Sequence, residues 1–416
     1  MTLNPPTQAK TRSWTQAFRY LIPFLDGDVA HWSMEARLLR WLTFLWLFLG
    51  LMVLFSASFP VADAEYGDGL YYFKRQLVWI ALGMVGFSVV VRSPIRRLLN
   101  LARWLMPFFV FLIVITLIPG IGTTVNGATR WLTLFFIPLQ PSELIKPVLI
   151  LQSASIFGRW PKLPWIVRGI WLSIFAIMLG AILLQPNLST AALCGMSLWL
   201  MALAAGLPWL ALWGTAGSGL VLGLFSIGIQ DYQRRRVISF LNPWADPMQD
   251  GYQLIQSLLA VGSGGLWGSG YGLSQQKLFY LPIQYTDFIF AVFAEEFGLV
   301  GGILLLLLLG CYATLAVWVA LKSRYAVHQL IAMGAMIFLV GQALVNIAVA
   351  TGMLPTTGLP LPFFSYGGSS VIASLAIAGL LIRVARESTV AEVVSLQGRR
   401  TKPHSTPPNP TPPENP

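Results

Sequence analysis

Residues 288–321 read FIFAVFAEEFGLVGGILLLLLLGCYATLAVWVAL, and Glu295 and Glu296 are the only charges in the run. A stretch this long and this apolar belongs in a bilayer, where a helix needs roughly 20 apolar residues to cross. It is long enough to tilt, or to begin as a partly buried helix. Further apolar runs lie on both sides of it: Trp41–Ser58, Leu77–Val91, Trp104–Ile118, Leu144–Phe157, Ile170–Leu184, Leu188–Ala205 and Trp209–Ile229 before it, His328–Ala350 and Ser370–Val384 after it. The fold expected is all-α, a polytopic membrane protein of about ten transmembrane helices with a long loop before the eighth.

Composition agrees. Hydrophobic residues make up 56% of the 416 and charged residues 10%, against roughly 25% charged in an ordinary globular chain. Mean hydropathy is +0.69, and the 16 Trp and 25 Phe suit aromatic belts. The net charge of +11 sits mostly in short loops between apolar runs, where it sets topology. No basic domain exists to bind nucleic acid. Cys194 and Cys311 each lie inside an apolar run, and His31, His328 and His404 are scattered, so no disulfide framework or His/Cys metal site is expected. No cleavable signal peptide is expected, because the first apolar run follows a charged leader.

Lys and Arg orient the chain. Lys10, Arg12, Arg19, Arg37 and Arg40 precede the first run; Arg92, Arg96, Arg97 and Arg103 lie between the second and third. Arg159, Lys162 and Arg168 separate the fourth and fifth, Lys322 and Arg324 follow the eighth, and Arg383, Arg386, Arg399, Arg400 and Lys402 lie at the end of the tenth or beyond. The positive-inside rule places these segments and both termini in the cytoplasm, against only Lys74 and Arg75 outside. Residues 1–40 then form a cytoplasmic segment, 41–386 the transmembrane domain, and 387–416 a disordered cytoplasmic tail that is Pro-rich from about Thr401. The segments left over, Pro119–Ser142, Gln185–Asn187, Gln230–Asp287 and Thr351–Ser369, all fall on the outer side. Their polar, Gly/Pro-rich character makes that side the expected working face.

The long outer loop, 230–287, carries Arg234, Arg235 and Arg236, a glycine-rich stretch from Gly262 to Gly272, Lys277, and finally Asp287 at the mouth of an apolar helix. A carboxylate in apolar surroundings has its pKa raised and suits general-base work. The plainer alternative is an N-cap for the helix beginning at Phe288. Glu143 and Lys146 share a helix face at i, i+3: either a structural ion pair, or a cation that joins Arg130 in facing an anionic substrate such as a pyrophosphate. Gln342 and Asn346, at i and i+4, are explained at least as well by helix–helix hydrogen bonding. The glycines lack P-loop spacing and suit a flexible loop or close backbone approach.

Several strings, in matching order from about residue 40 to 386, resemble the SEDS family (shape, elongation, division, sporulation): VNGATRW at 125–131, QPSELIK at 140–146, GYQ at 251–253 with Gln256-Ser257, YLP at 280–282, TDFIFA at 286–291 with Glu295-Glu296, LPTTGLPLPF at 354–363 and SYGGSS at 365–370. The wording of 354–363 is closer to the division-type branch than to the elongation-type one. The resemblance implies a peptidoglycan glycosyltransferase that polymerises lipid II on the outer face of the plasma membrane, at the division septum, beside a class B penicillin-binding transpeptidase and other division proteins. It puts the essential aspartate at Asp287 and an intramembrane ion pair at Glu143 and Lys146. Two motifs depart from the family pattern: Gln-Pro-Asp-Leu-Gly-Thr reads QPNLST at 185–190, and Pro-Glu-x-His-Thr-Asp reads PIQYTD at 282–287, which leaves Asp287 more isolated.

The expected chemistry is inverting glycosyl transfer, with Asp287 as the catalytic base. Arg130, Glu143, Lys146, Arg236, Lys277 and Ser365 are the candidate substrate-binding residues, and a divalent cation such as Mg²⁺ is a candidate helper at the pyrophosphate. Rival readings are a lipid II flippase using Glu143, Lys146, Gln342 and Asn346 as a path, and a non-catalytic division scaffold.

Overall fold

The computed structural model describes residue 29 and residues 32–400, apart from 121, 126–127 and 135–136. The helices are α1 (Met34–Tyr66), α2 (Tyr71–Arg92), α3 (Ile95–Ile115), α4 (Pro141–Phe157), α5 (Trp165–Leu184), α6 (Leu188–Ala204), α7 (Trp209–Ile229), α8 (Asp231–Leu241), α9 (Tyr252–Ser263), α10 (Ile289–Lys322), α11 (Ala326–Ala350) and α12 (Gly368–Arg400). Eight of them are long and apolar enough to cross a membrane. With α4 and α6, of 17 residues each, they answer to the expected apolar runs. A 17-residue helix spans about 26 Å, near the lower limit for crossing.

Boundaries move where local chemistry acts. Helix α1 starts seven residues ahead of Trp41, at Met34, because the Ser33 hydroxyl accepts from the Ala36 N–H at 3.2 Å and Glu35 complements the helix dipole. The part of the presumed leader from Met34 to Arg40 is therefore helical. Helix α12 runs on through Arg400, so the backbone at 387–400 is helical where a disordered tail was expected. Residues 1–28 and the Pro-rich stretch 401–416 lie outside the described residues.

Helices α12, α4 and α11 form the buried centre, with α1, α2, α3 and α10 packed on them. Helix α7 is peripheral: only 6% of its apolar window is buried, as expected for a lipid-facing helix. The segment read as an irregular loop at 119–142 contains a small antiparallel sheet, β1 (Gly122–Val125), β2 (Ala128–Leu134) and β3 (Ile137–Leu139), with Gly122 opposite Leu132 and Leu132 opposite Leu139.

Two breaks in long helices shape the site. Helix α10 kinks at Gly298 (φ 63°, ψ −164°), a conformation closed to side chains. A Cβ there would also meet the Gly268 nitrogen at 2.4 Å. The glycine-rich stretch lies in the notch. Ser269 and Gly270 donate to the carbonyls of Glu295 and Glu296 at 2.9 and 3.1 Å, while Leu299 and Val300 donate to those of Gly265 and Leu266 at 2.9 and 3.1 Å. The glycines thus supply close approach and satisfy the backbone groups freed by the break, a requirement for broken helices in lipid. In α11, a π turn at Ile337–Gly341 sits immediately before Gln342 and resets the phase of the polar stripe that follows.

Candidate active site

The four left-over segments meet at one end of the bundle. The Gln140 N–H donates to Ser369 Oγ at 2.9 Å; Arg130, on β2, donates through Nε to the Gln185 carbonyl at 3.3 Å and through Nη2 to that of Pro186. Gln233 Nε2 also reaches the Pro186 carbonyl, at 3.2 Å, and Arg236 Nη1 donates to the Thr356 carbonyl at 3.0 Å. Tyr232 and Arg236, one turn apart on α8, hydrogen-bond, and the guanidinium lies 4.5 Å from the ring centroid.

Asp287 stands at the middle of this convergence. Its backbone is tightly held: Asn346 Nδ2 donates to the Asp287 carbonyl at 2.7 Å, Ser365 Oγ to the Thr286 carbonyl at 2.6 Å, and the Tyr366 N–H to the Tyr285 carbonyl at 2.9 Å. Its carboxylate, by contrast, makes no hydrogen bond or ion pair among the described residues, and the residue keeps partial exposure. Burial pushes the Asp287 carboxyl above the usual aspartate range; Arg236 and then Arg130 pull it back, and Glu143 adds a smaller push upward. The N-cap alternative fails, because the cap position of α10 is Phe288 and no side chain caps the helix.

Gly358 explains how the carboxylate stays open. With φ +71°, it has no side chain where a Cβ would lie 3.4 Å from Asp287 Oδ2 and 3.8 Å from Arg236 Nη1. Gly358 thus leaves an open gap between the Asp287 carboxylate and the Arg236 guanidinium.

The other candidates divide. Of the three adjacent arginines, Arg236 turns to Asp287, Arg234 pairs with exposed Asp231 at 2.6 Å, and Arg235 faces outward. Arg130 lies close enough to Arg236 and Asp287 to feel both charges. Lys146 is buried, paired with Glu143 at 2.6 Å and with Gln342 Oε1 at 2.9 Å, so it does not face an open site. Gln342 Nε2 continues to the Pro360 carbonyl at 2.7 Å, and Asn346 to that of Leu359 at 2.8 Å. The polar stripe on α11 therefore bonds both to the neighbouring helix α4, through Gln342 and Lys146, and to the 354–363 loop, which it anchors.

Two candidates are corrected. Lys277 is buried and bonded to Glu296 Oε1 and Ser56 Oγ, each at 2.8 Å, so it is not a cation of the substrate site. Ser365 is buried, and its hydroxyl both donates to Thr286 and accepts from the Leu361 N–H at 2.8 Å. It positions the loop and has no free lone hydrogen for substrate. Asn187, in the altered QPN motif, caps α6 through the Thr190 N–H at 3.3 Å.

Sequence reasoning missed a tyrosine cluster beside the site. Tyr285 donates to the Tyr72 hydroxyl at 3.2 Å, Tyr72 to Glu65 at 2.8 Å, and the Tyr72 and Tyr285 rings stack with centroids 4.5 Å apart. Tyr366 joins the cluster 5.0 Å from Tyr72. The only sequence signal was the density of Tyr at 66–72. For a divalent cation the fit is poor: one carboxylate beside two guanidiniums is a weak donor set, and the described residues contain no group of three His, Cys, Asp or Glu able to hold a metal.

Comparison with known proteins matches residues 36–390 to the family described as cell cycle protein, FtsW/RodA/SpoVE. A probable peptidoglycan glycosyltransferase FtsW from Synechocystis sp. is 57% identical over 385 residues, covering 92% of this chain and 98% of that one. The stage V sporulation protein E of Bacillus subtilis is 37% identical over 356 residues, 83% and 96% of the two chains. Among solved structures, a chain of a peptidoglycan synthase complex superposes with a TM-score of 0.68 at 30% identity, over 84% of this chain and 97% of that one. The rod shape determining protein RodA of Thermus thermophilus gives 0.62 at 30%, over 84% and 96%. With the motifs in order and the bundle shared, the chain belongs to the FtsW/RodA/SpoVE family of cell cycle proteins, the SEDS family.

Proposed function

We propose that this chain is a division-type peptidoglycan glycosyltransferase that polymerises lipid II on the outer face of the plasma membrane. The observation that carries the reading is the open Asp287 carboxylate, held rigidly by its backbone and flanked by Arg236 and Arg130 without being neutralised by either. Asp287 accepts the proton of the acceptor sugar hydroxyl as that oxygen bonds to the donor's anomeric carbon. The bond from that carbon to the pyrophosphate oxygen breaks on the opposite face, inverting the centre. Its electron pair leaves with undecaprenyl pyrophosphate, beside the two guanidiniums. No step is assigned to a divalent ion; the leaving pyrophosphate is itself a ligand for one.

The positive-inside pattern supports both termini in the cytoplasm and the Asp287 end outside. Its relatives named FtsW support work at the septum, and the likeness to a synthase-complex chain supports a class B transpeptidase partner among the division proteins. The flippase reading has less support, since Glu143, Lys146, Gln342 and Asn346 bond to one another or to loop carbonyls and do not line a path.

The test is polymerisation of lipid II by purified protein with its transpeptidase, parent against Asp287→Asn. The variant should lose two or more orders of magnitude, the size of a general base's contribution. Similar strand synthesis by both proteins overturns the assignment. A parent that makes no strands yet moves labelled lipid II across vesicles favours the flippase.

A further inference from the structure

At the end of the bundle away from Asp287, a recess of about 370 Å³ opens between α3 and the end of α4, lined by Arg96, Leu99, Asn100, Arg103, Ser155 and Arg159. Ser155, its residue on α4, is about 18 Å along the helix from Glu143. Arg96, Asn100 and Arg103 are spaced i, i+4, i+7 and so share one face of α3. None of the Arg96, Arg103 and Arg159 side chains forms a hydrogen bond or ion pair among the described residues, and no carboxylate lines the recess.

Topology alone does not explain this arrangement. The positive-inside effect depends on how many cations lie on a side; Arg97 and Lys162 serve it from outside the recess, whereas Arg96, Arg103 and Arg159, equally exposed, border one concavity. Three arginines that border one concavity, with no carboxylate among its lining residues, favour an anion between them. Their planar donors match phosphate oxygens, and Asn100 and Ser155 add uncharged hydrogen-bonding groups for the rest of a headgroup. The neighbouring stripe of α3 is open and apolar: Leu101, Trp104 and Phe108 are 52%, 76% and 51% exposed. A ligand seated on the arginines therefore has a lipid-facing surface beside it for acyl chains. We propose that this recess binds the phosphate headgroup of an anionic phospholipid, a second lipid site on the face opposite the polymerisation centre.

The full-length chain, extracted from vesicles holding phosphatidylglycerol and phosphatidylcholine in equal amounts, should retain phosphatidylglycerol selectively in native mass spectrometry. Arg103→Gln with Arg159→Gln should reduce that retention on the order of tenfold, as two interfacial cations are worth together. The charge-matched pair Arg97→Gln with Lys162→Gln should not. Arg96→Gln alone, the mildest change, should lose several-fold and guards against misfolding of the double variant. Equal loss in the recess and control pairs, or no preference for phosphatidylglycerol in the parent, overturns the site. Displacement of the lipid by millimolar inorganic phosphate overturns the lipid as occupant in favour of a soluble phosphate.

Discussion

Two acidic positions bracket the first half of α10 and have opposite fates. Just before it, Asp287 has a fixed backbone and a carboxylate without partners. Just before the break at Gly298, every carboxylate is engaged. Glu295 accepts from the Ser274 hydroxyl and from the Gln275 and Gln276 N–H groups at 2.9 and 3.3 Å, while Glu296 is paired with Lys277 at 2.8 Å. The two places flank the same half-helix, so the element that carries them does not separate them. The difference is whether the surroundings complete the charge. At Glu295 and at Oε1 of Glu296 they do, although Glu296 Oε2 has no hydrogen-bond partner, and the result is a joint that fastens the glycine-rich stretch. At Asp287 Gly358 withholds the atoms that would close the gap, and the carboxylate is left without a hydrogen bond or ion pair among the described residues.

The comparison breaks most sharply through substitution. Asp287→Asn should abolish polymerisation without lowering thermal stability. Because burial raises the carboxyl's pKa, the folded state binds that proton more tightly than the unfolded one, and ionised Asp287 costs stability at neutral pH. A melting temperature at or above the parent's is expected, and a clear fall would place Asp287 with the structural carboxylates. Lys277→Ala should do the reverse. It strands buried Glu296 and should cost about 3–5 kcal/mol, read by thermal melting in detergent. Lys146→Ala, which strands Glu143, belongs to the same class. An unchanged melting temperature in either would remove the distinction drawn between the two regions.

Smaller effects sharpen it. Gly358→Ala places a methyl between Asp287 and Arg236 at a positive φ, with a strain of about 1–3 kcal/mol. Polymerisation should fall about tenfold or more while the variant still inserts; full activity would show that the gap is not used. The acid limb of the rate profile should lie above the ordinary aspartate range, with activity rising as pH climbs through the raised pKa. A limb at about pH 4 would contradict the burial argument. Ser365→Ala removes one donor to the Thr286 carbonyl and should cost about 1–3 kcal/mol, with Ser365→Thr restoring part of the lost rate if the hydroxyl positions the loop.

Much of the site was readable residue by residue. Asp287, Arg130 and Arg236 converge as charge type and motif order suggested, and Glu143 pairs with Lys146 because i, i+3 neighbours on a helix meet wherever the helix goes. Lys277 was read as a cation of the outer loop and Ser365 through its place in the SYGGSS string, and neither signal shows what the side chain bonds to. Their partners come from elsewhere: Ser56 lies 221 residues from Lys277, and Thr286 lies 79 from Ser365. The tyrosine cluster was hidden because its members are far apart in the chain, with Tyr72 and Tyr285 213 residues apart.

The chain's own order of residues determined the membrane class, the apolar helices, the segments left polar between them, and the family motifs. These depend on hydropathy and spacing within a few turns, where each residue's neighbours are known in advance. Only the tertiary structure decided which polar groups are satisfied. Lys146 finds Gln342 196 residues away and Arg236 finds Thr356 120 residues away, contacts created by packing α4 against α11 and by folding the 354–363 loop over Asp287. A charge becomes structural or reactive according to whether such a distant partner reaches it, because desolvation makes an unmet charge costly and leaves it responsive to a substrate.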